Sequence, residues 1–267
     1  MAPRSKGTRT ACASTSLSTN GWGCPRVSPP RILTVAETGS TNADLLALAR
    51  DGSAEDGLWL RAERQTAGRG RQGRDWQSPA GNLYASTLVR LSPGDPPAPT
   101  LALVAAVALD EVVERLLPSP RAAKLRVKWP NDLLIDGAKL SGILLERSGD
   151  WVVVGIGVNV AHHPALADRA TTSLVAEGVA IDAATLAARL AEMLAAWLHL
   201  WRDDGLSPVT ARWRERAHPP GTPLVARLPD GECVEGRFDT LGDDGALRLR
   251  LAGGATRVIH AADVFLV

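Results

Sequence analysis

Between Glu63 and Trp76 the chain reads Glu-Arg-Gln-Thr-Ala-Gly-Arg-Gly-Arg-Gln-Gly-Arg-Asp-Trp. Arginines at 64, 69, 71 and 74 alternate with glycines at 68, 70 and 73, so planar, many-donor cations sit on a backbone free to take positive φ. Such a segment can wrap an anion. It carries no apolar periodicity, which excludes a packed helix or a buried strand and leaves a loop. Strand-like apolar stretches at 57–62 and 83–89 flank it, and a long loop fixed at both ends is more often functional than a solvated linker.

Two further polar clusters end apolar runs: Lys128-Trp-Pro-Asn-Asp132 with Lys139 shortly after, and Gly155-Ile-Gly-Val-Asn159. The chain has 26 arginines but only four lysines, three of them at 124, 128 and 139. Cations, a carboxylate, amides and glycine gaps suit a reaction between two anions. Bringing a carboxylate to within 4 Å of a phosphate costs on the order of 4 kcal/mol at an effective dielectric of 20. Arg and Lys placed between them remove that barrier and stabilise charge developing on phosphorus. Asp132, with Asn131 or Asn159, could hold a magnesium ion on the phosphates. Ser40-Thr-Asn42 stand before the helical pattern 43–49, with Thr41 as N-cap and Asp44 completing a capping-box-like pair. Free N–H groups at such a terminus can grip a small polar ligand, although capping is the ordinary use of these residues.

The elements that must position these groups follow from pattern. A first strand is expected at 31–35 and a helix ending at Asp51-Gly52. An apolar helix capped by Thr100 runs to Leu117, where Pro118 and Pro120 stop it. Alternation marks a strand at 125–129, and a hairpin turning at Asp136-Gly137 follows. Residues 150–160 form a buried strand whose glycines at 155 and 157 leave room for close approach. After a mixed loop at 165–180, the apolar stripe of 182–201 is that of a core-facing helix. Beyond Pro219-Pro220, short strands at 223–228, 233–239, 246–251 and 256–260 are separated by Asp-Gly and Gly-Gly turns, the texture of a small SH3-like β-barrel. The reading is therefore an α+β domain over 31–219 and a satellite over 220–267.

Composition narrows the class. With 267 residues, 45% of them hydrophobic, one large domain plus a satellite can be supported. No apolar run reaches membrane-spanning length, and a net charge of +1 gives no general attraction to nucleic acid. Residues 1–30 hold Arg4, Lys6, Arg9 and Arg26 and no acid; they read as a disordered tail, or an overextended start. Three cysteines without metal-ligand spacing fit a reducing cytoplasm. His162-His163 is read as a loop decoration rather than a metal site.

Gly-Ser-Thr-Asn (39–42), Gln-Thr-Ala-Gly-Arg-Gly-Arg-Gln-Gly-Arg (65–74), Lys-Trp-Pro-Asn-Asp (128–132), Lys-Leu-Ser-Gly-Ile-Leu (139–144) and Gly-Ile-Gly-Val-Asn (155–159) together closely resemble the biotin-protein ligase family. The resemblance implies a mixed β-sheet with flanking helices, of class II aminoacyl-tRNA-synthetase-like type, followed by the SH3-like unit. It also implies two steps at one site: biotin and MgATP give biotinyl-5'-AMP, and the biotinyl group then passes to a lysine of a biotin carboxyl carrier domain. Carried over residue by residue, Ser40, Thr41, Asn42 and Gln65 would hold biotin, with Gly68, Arg69, Gly70, Arg71, Gly142 and Gly157 around biotin or its adenylate. Arg69 and Lys139 would be catalytic, Lys139 bridging the biotin carboxylate and the α-phosphate. Arg74, Trp76, Lys128, Asn131, Asp132 and Asn159 would face the nucleotide, and Asp132 and Asn159 the magnesium ion. The Arg/Gly loop would fold over the adenylate and exclude water.

A related lipoate or octanoate ligase is the nearest rival, and the 65–74 block favours the biotin pattern. A nucleic-acid module built on the Arg/Gly run would need interleaved aromatics and net basicity, and only Trp76 lies in the loop. The polar stretch before residue 31 is too short for a helix-turn-helix. The expected partner is thus a carrier domain, with no nucleic acid and no membrane, for a monomer or weak homodimer.

Overall fold

The computed structural model describes residues 30–266, and the tail expected over 1–30 lies outside the described residues apart from Pro30. In chain order the elements are β1 (Ile32–Thr38), α1 (Thr41–Asp51), β2 (Trp59–Gln65), β3 (Leu83–Arg90), α2 (Leu101–Leu116), α3 (Ser119–Ala122), β4 (Leu125–Lys128), β5 (Asp132–Ile135), β6 (Ala138–Ser148), β7 (Trp151–Val158), α4 (Ala183–Asp203), α5 (Ser207–Arg216), β8 (Pro223–Arg227), β9 (Cys233–Leu241), β10 (Leu247–Arg250), β11 (Thr256–Ile259) and β12 (Asp263–Leu266). The first seven strands form one sheet in the order β1-β2-β3-β7-β6-β5-β4. It is mixed: β1 and β2 run parallel, the other neighbours antiparallel. The last five strands form an antiparallel sheet ordered β11-β10-β9-β8-β12.

Strand β7 shows how the sequence divides the two faces of the large sheet. Val152, Val154, Ile156 and Val158 join α2 and α4 in the main core, whereas Val153 packs with Leu45 and Leu46 of α1 on the opposite face. Side chains alternate along a strand, so Gly155 and Gly157 share the α1 face. The register sets Gly142 of β6 beside Gly157, and Ser86 of β3 and Leu144 of β6 beside Gly155. Where a valine would close that face, glycines leave a trough at the N-terminus of α1.

The Asp136-Gly137 turn joins β5 to β6 with both residues at positive φ, as an Asp-Gly hairpin requires. Asp182 caps α4 by accepting from the Thr185 amide. Three local expectations are corrected. Ser40, not Thr41, occupies the N-cap of α1 and makes no side-chain cap bond, and Asp44 instead accepts from Thr38 Oγ1 at 2.6 Å. Thr100 does not cap α2 through its side chain; its hydroxyl donates to Pro97 O and accepts from Trp201 Nε1. Glu63, Arg64 and Gln65 belong to β2, because Arg64 and Gln65 continue the pairing with β1. Helix α5 and strand β12 were not anticipated. Arginines at 212, 214 and 216 interrupt the apolar stripe of α5, whose buried face is only Val209, Thr210 and Trp213.

The C-terminal sheet is not loosely tethered. Leu224, Phe238, Leu247 and Leu249 belong to the same core as α2 and α4, and Trp129 Nε1 donates to Gly245 O at 3.1 Å. Helix α5 is held to α2 by wholly buried Asp110, 2.9 Å from Arg216 and 3.5 Å from Arg212. Just beyond α5, burial, with Lys128 and Arg126 nearby, pushes His218 down to about 4. The folded chain therefore keeps this imidazole neutral where the unfolded chain, titrating near 6.5, binds a proton. His218 should contribute stability that is present above pH 6.5 and lost as pH falls toward 4. Melting temperatures across that window should drop with acid, and less steeply in His218→Phe.

Candidate active site

The glycine trough opens into a cavity of about 400 Å³ between α1, the Arg/Gly loop, the 164–171 segment and β12. At one end lies a buried polar recess. The Thr41 amide donates to Gln65 Oε1 at 2.9 Å, and Thr41 Oγ1 lies 2.7 Å from Ser86 Oγ. Ser86 donates to Asn42 Oδ1 at 2.6 Å, and Asn42 Nδ2 donates to Glu146 Oε2 at 2.8 Å. This packing needs Gly155, since a Cβ there would stand 2.1 Å from Asn42 Oδ1.

Along the trough, the Trp76 ring lies on Gly157 and Gly142, where added Cβ atoms would sit 2.7 and 3.3 Å from it. The Arg/Gly segment that carries it is folded. Gly70 N bonds Arg74 O, Trp76 N bonds Gly68 O, and the tip turns through Gln72 and Gly73, both at positive φ.

Farther along the trough the cations gather, with Lys139 Nζ 3.4 Å from where a Cβ on Gly142 would stand. Asp132 accepts from Lys139 Nζ at 2.6 Å on one oxygen and lies 3.2 Å from Lys128 Nζ on the other. Burial opposes the charged form of Asp132, but Lys139 and Lys128 outweigh it and hold the carboxyl below its usual range. Burial likewise holds the Lys139 ammonium below its ordinary value, against the pull of Asp132. Strand β12 closes this end: Arg71 Nη1 donates to Ala262 O at 3.0 Å and lies 3.4 Å from Asp263, Arg74 pairs with Asp263, and Lys128 Nζ donates to Val264 O at 3.0 Å. Arg169, paired with its neighbour Asp168, lines the same region.

Nearly all the residues singled out in the sequence line this cavity: Ser40, Thr41, Asn42, Gln65, Arg69, Gly70, Arg71, Arg74, Trp76, Lys128, Asn131, Asp132, Lys139, Gly142, Gly157 and Asn159. Gly68 does not. It is packed behind the loop, where a Cβ would lie 2.5 Å from Ser78 Oγ and Trp76 O. Arg69 stands at the recess, 3.6 Å from Glu146, rather than with Lys139. The magnesium pair does not fit the donors present. Both Asp132 oxygens face ammonium groups, Asn159 Nδ2 donates to Thr172 O and Lys139 O, and no cluster of three His, Cys, Asp or Glu suited to a metal occurs among the described residues. His163 Nδ1 pairs with Ser173 Oγ.

Sequence reasoning missed Ser86, Glu146, Arg169 and Asp263. The two-residue period from Gly142 through Leu144 to Glu146 was a usable signal for one of them; Asp263 comes from a strand that was not foreseen.

A polar recess joined by a glycine trough to a cluster of cations is an arrangement that can seat a small polar molecule at one end and hold anionic groups at the other. The sequence profile described as Biotin/lipoate A/B protein ligase family matches residues 37–160, and that of the Biotin protein ligase C terminal domain matches 225–267. The chain is 41% identical over 244 residues to a biotin–[acetyl-CoA-carboxylase] ligase of Paracoccus denitrificans, covering 86% of this chain and 98% of that one. It is 42% identical over 235 residues to the Mycobacterium tuberculosis enzyme of the same name, covering 86% of each. Among solved structures, a biotin protein ligase from Aquifex aeolicus in complex with biotin and ATP superposes with a TM-score of 0.77 at 25% identity, over 89% of this chain and 99% of that one. One from Leishmania major in complex with biotinyl-5-AMP gives 0.61 at 30%, over 87% and 100%. The chain belongs to the biotin protein ligase family.

Asp263 pins two loop arginines from another part of the chain, so Asp263→Ala should free the segment. Tryptic cleavage after residues 69–74 under native conditions should accelerate about tenfold, the effect of losing part-buried charge-assisted bonds on a local opening equilibrium.

Proposed function

We propose that this chain is a biotin–[acetyl-CoA-carboxylase] ligase. It joins biotin and ATP into biotinyl-5'-AMP with release of pyrophosphate, then passes the biotinyl group to a lysine of a biotin carboxyl carrier domain. The observation that carries this reading is the buried Thr41–Ser86–Asn42 chain beside Gln65. Such a recess matches the ureido group of biotin, which both donates and accepts hydrogen bonds. A lipoyl dithiolane or an octanoyl chain would leave those buried polar groups without partners, a strong discrimination.

With the ureido ring in the recess, the valeryl chain follows the trough and presents its carboxylate toward Lys139. A carboxylate oxygen attacks the α-phosphorus, the bond from that phosphorus to the bridging oxygen breaks, and pyrophosphate leaves. Lys139 lies where it can neutralise both anions, and a compact ammonium fits between them better than a guanidinium fork. Arg71, Arg74 and Lys128 supply positive charge around the phosphates. In the second step the carrier amine attacks the acyl carbon, AMP departs with the bonding pair, and the amine nitrogen loses a proton. Until then the folded 66–76 segment shields the anhydride from water. Magnesium enters with ATP as part of the nucleotide substrate.

We assign the catalytic unit to residues 31–219 and the C-terminal unit to 220–267, acting in the cytoplasm. Among the described residues no helix is long and apolar enough to cross a membrane.

Incubation with biotin, MgATP and a carrier domain should release pyrophosphate and raise the carrier mass by one biotinyl group, with lipoate and octanoate inert. Failure to form biotinyl-5'-AMP would sink the reading. Lys139→Gln should slow the first step by about 10²–10³-fold, the range for removing one transition-state donor, and Lys139→Arg should not restore it.

A further inference from the structure

We propose that Glu146 is a positioning residue that couples the biotin recess to the Arg/Gly cover, an inference that rests on the ligase reading. Its carboxylate is shared between the two. Oε2 accepts from Asn42 Nδ2 at 2.8 Å, and Oε1 lies 3.6 Å from Arg69 Nη2. The side chain is 26% exposed and that of Arg69 48%, so solvent screens the ion pair more than it screens the part-buried bond to Asn42.

A carboxylate only accepts, so Asn42 must turn its Nδ2 toward Glu146 and its Oδ1 toward Ser86. The single Ser86 proton then goes to Asn42, at 2.6 Å, and the one Thr41 proton is shared between the Ser86 oxygen at 2.7 Å and Gln65 Oε1 at 3.2 Å. The Glu146 charge, with the Leu144 carbonyl accepting more weakly from the same Nδ2 at 3.4 Å, thereby sets the direction of the hydrogen bonds in the recess. The same charge anchors the first arginine that follows Gly68. Gly155 makes this position possible, because the place of its missing Cβ is the space that Asn42 Oδ1 fills. A ligand that engages Asn42 therefore acts on the group that holds Arg69, and a displaced Arg69 loosens the orientation of Asn42.

A double-mutant cycle tests this. Enzyme-bound biotinyl-5'-AMP, made with labelled biotin, is chased with excess unlabelled biotin and ATP, and its lifetime is read in wild type, Glu146→Gln, Arg69→Ala and the double variant. Each single change should shorten the lifetime about fivefold, the upper range for a part-exposed ion pair. The double variant should match the singles, and Glu146→Asp, which keeps the charge but draws it back, should fall between wild type and Glu146→Gln. Glu146→Asp also keeps the cycle available if Glu146→Gln does not fold. Lifetimes that fall by the product of the two single effects, or a Glu146 variant that retains the adenylate as long as wild type, would overturn the coupling alone. A wild-type enzyme that forms no adenylate overturns the ligase reading and this inference with it.

Discussion

Positive charge crowded at one end of a sheet has to be balanced, and in this protein two buried carboxylates do it. Asp132 sits between Lys139 and Lys128, and Asp263 between Arg71 and Arg74. Without them, four cations drawn into a part-buried space would repel one another and the loop would lift away. With them, the cations are held in place while remaining available to a stronger anion. A polyphosphate, carrying more total charge and more acceptor oxygens than either carboxylate, competes for the same donors, so the arrangement is pre-organised without being saturated.

The sheet supplies the other half of the design through simple alternation. One face of β7 is valine and isoleucine, and it is sealed by α2 and α4. The other is Val153, packed on α1, then Gly155 and Gly157, whose missing side chains are the room that Asn42 and Trp76 take up. A single strand thus contributes to the core and to the floor of the site. The floor inherits the rigidity of the middle of a seven-stranded sheet, and the 66–76 and 164–171 segments lie over it.

Much of this was legible in the chain because the chemistry-bearing residues stand in short blocks. Lys128, Asn131, Asp132 and Lys139 lie along one antiparallel run from β4 to β6, whose Asp-Gly turn can be read directly, and Gly155, Gly157 and Asn159 mark their strand by period. What escaped was tertiary. The contact of Arg74 with Asp263 spans 189 residues and depends on β12 pairing with β8, which no local pattern announces. The resemblance placed Gly68 at the ligand, but its small size serves backbone packing against Trp76 and Ser78. Asp44 had the spacing of a capping partner and was claimed by Thr38, a neighbour created only when β1 and α1 meet.

The indole of Trp76 has a further consequence. It rests on the bare backbone of Gly142 and Gly157, its Nε1 is buried without a partner, and Lys139 Nζ lies 5.7 Å from the ring centroid. The cavity that this ring lines stays open at about 400 Å³, so the indole forms one wall above the glycine floor. A buried N–H without a partner in such a wall is a donor in waiting, and the side chain gains a full hydrogen bond from any acceptor that comes within its reach.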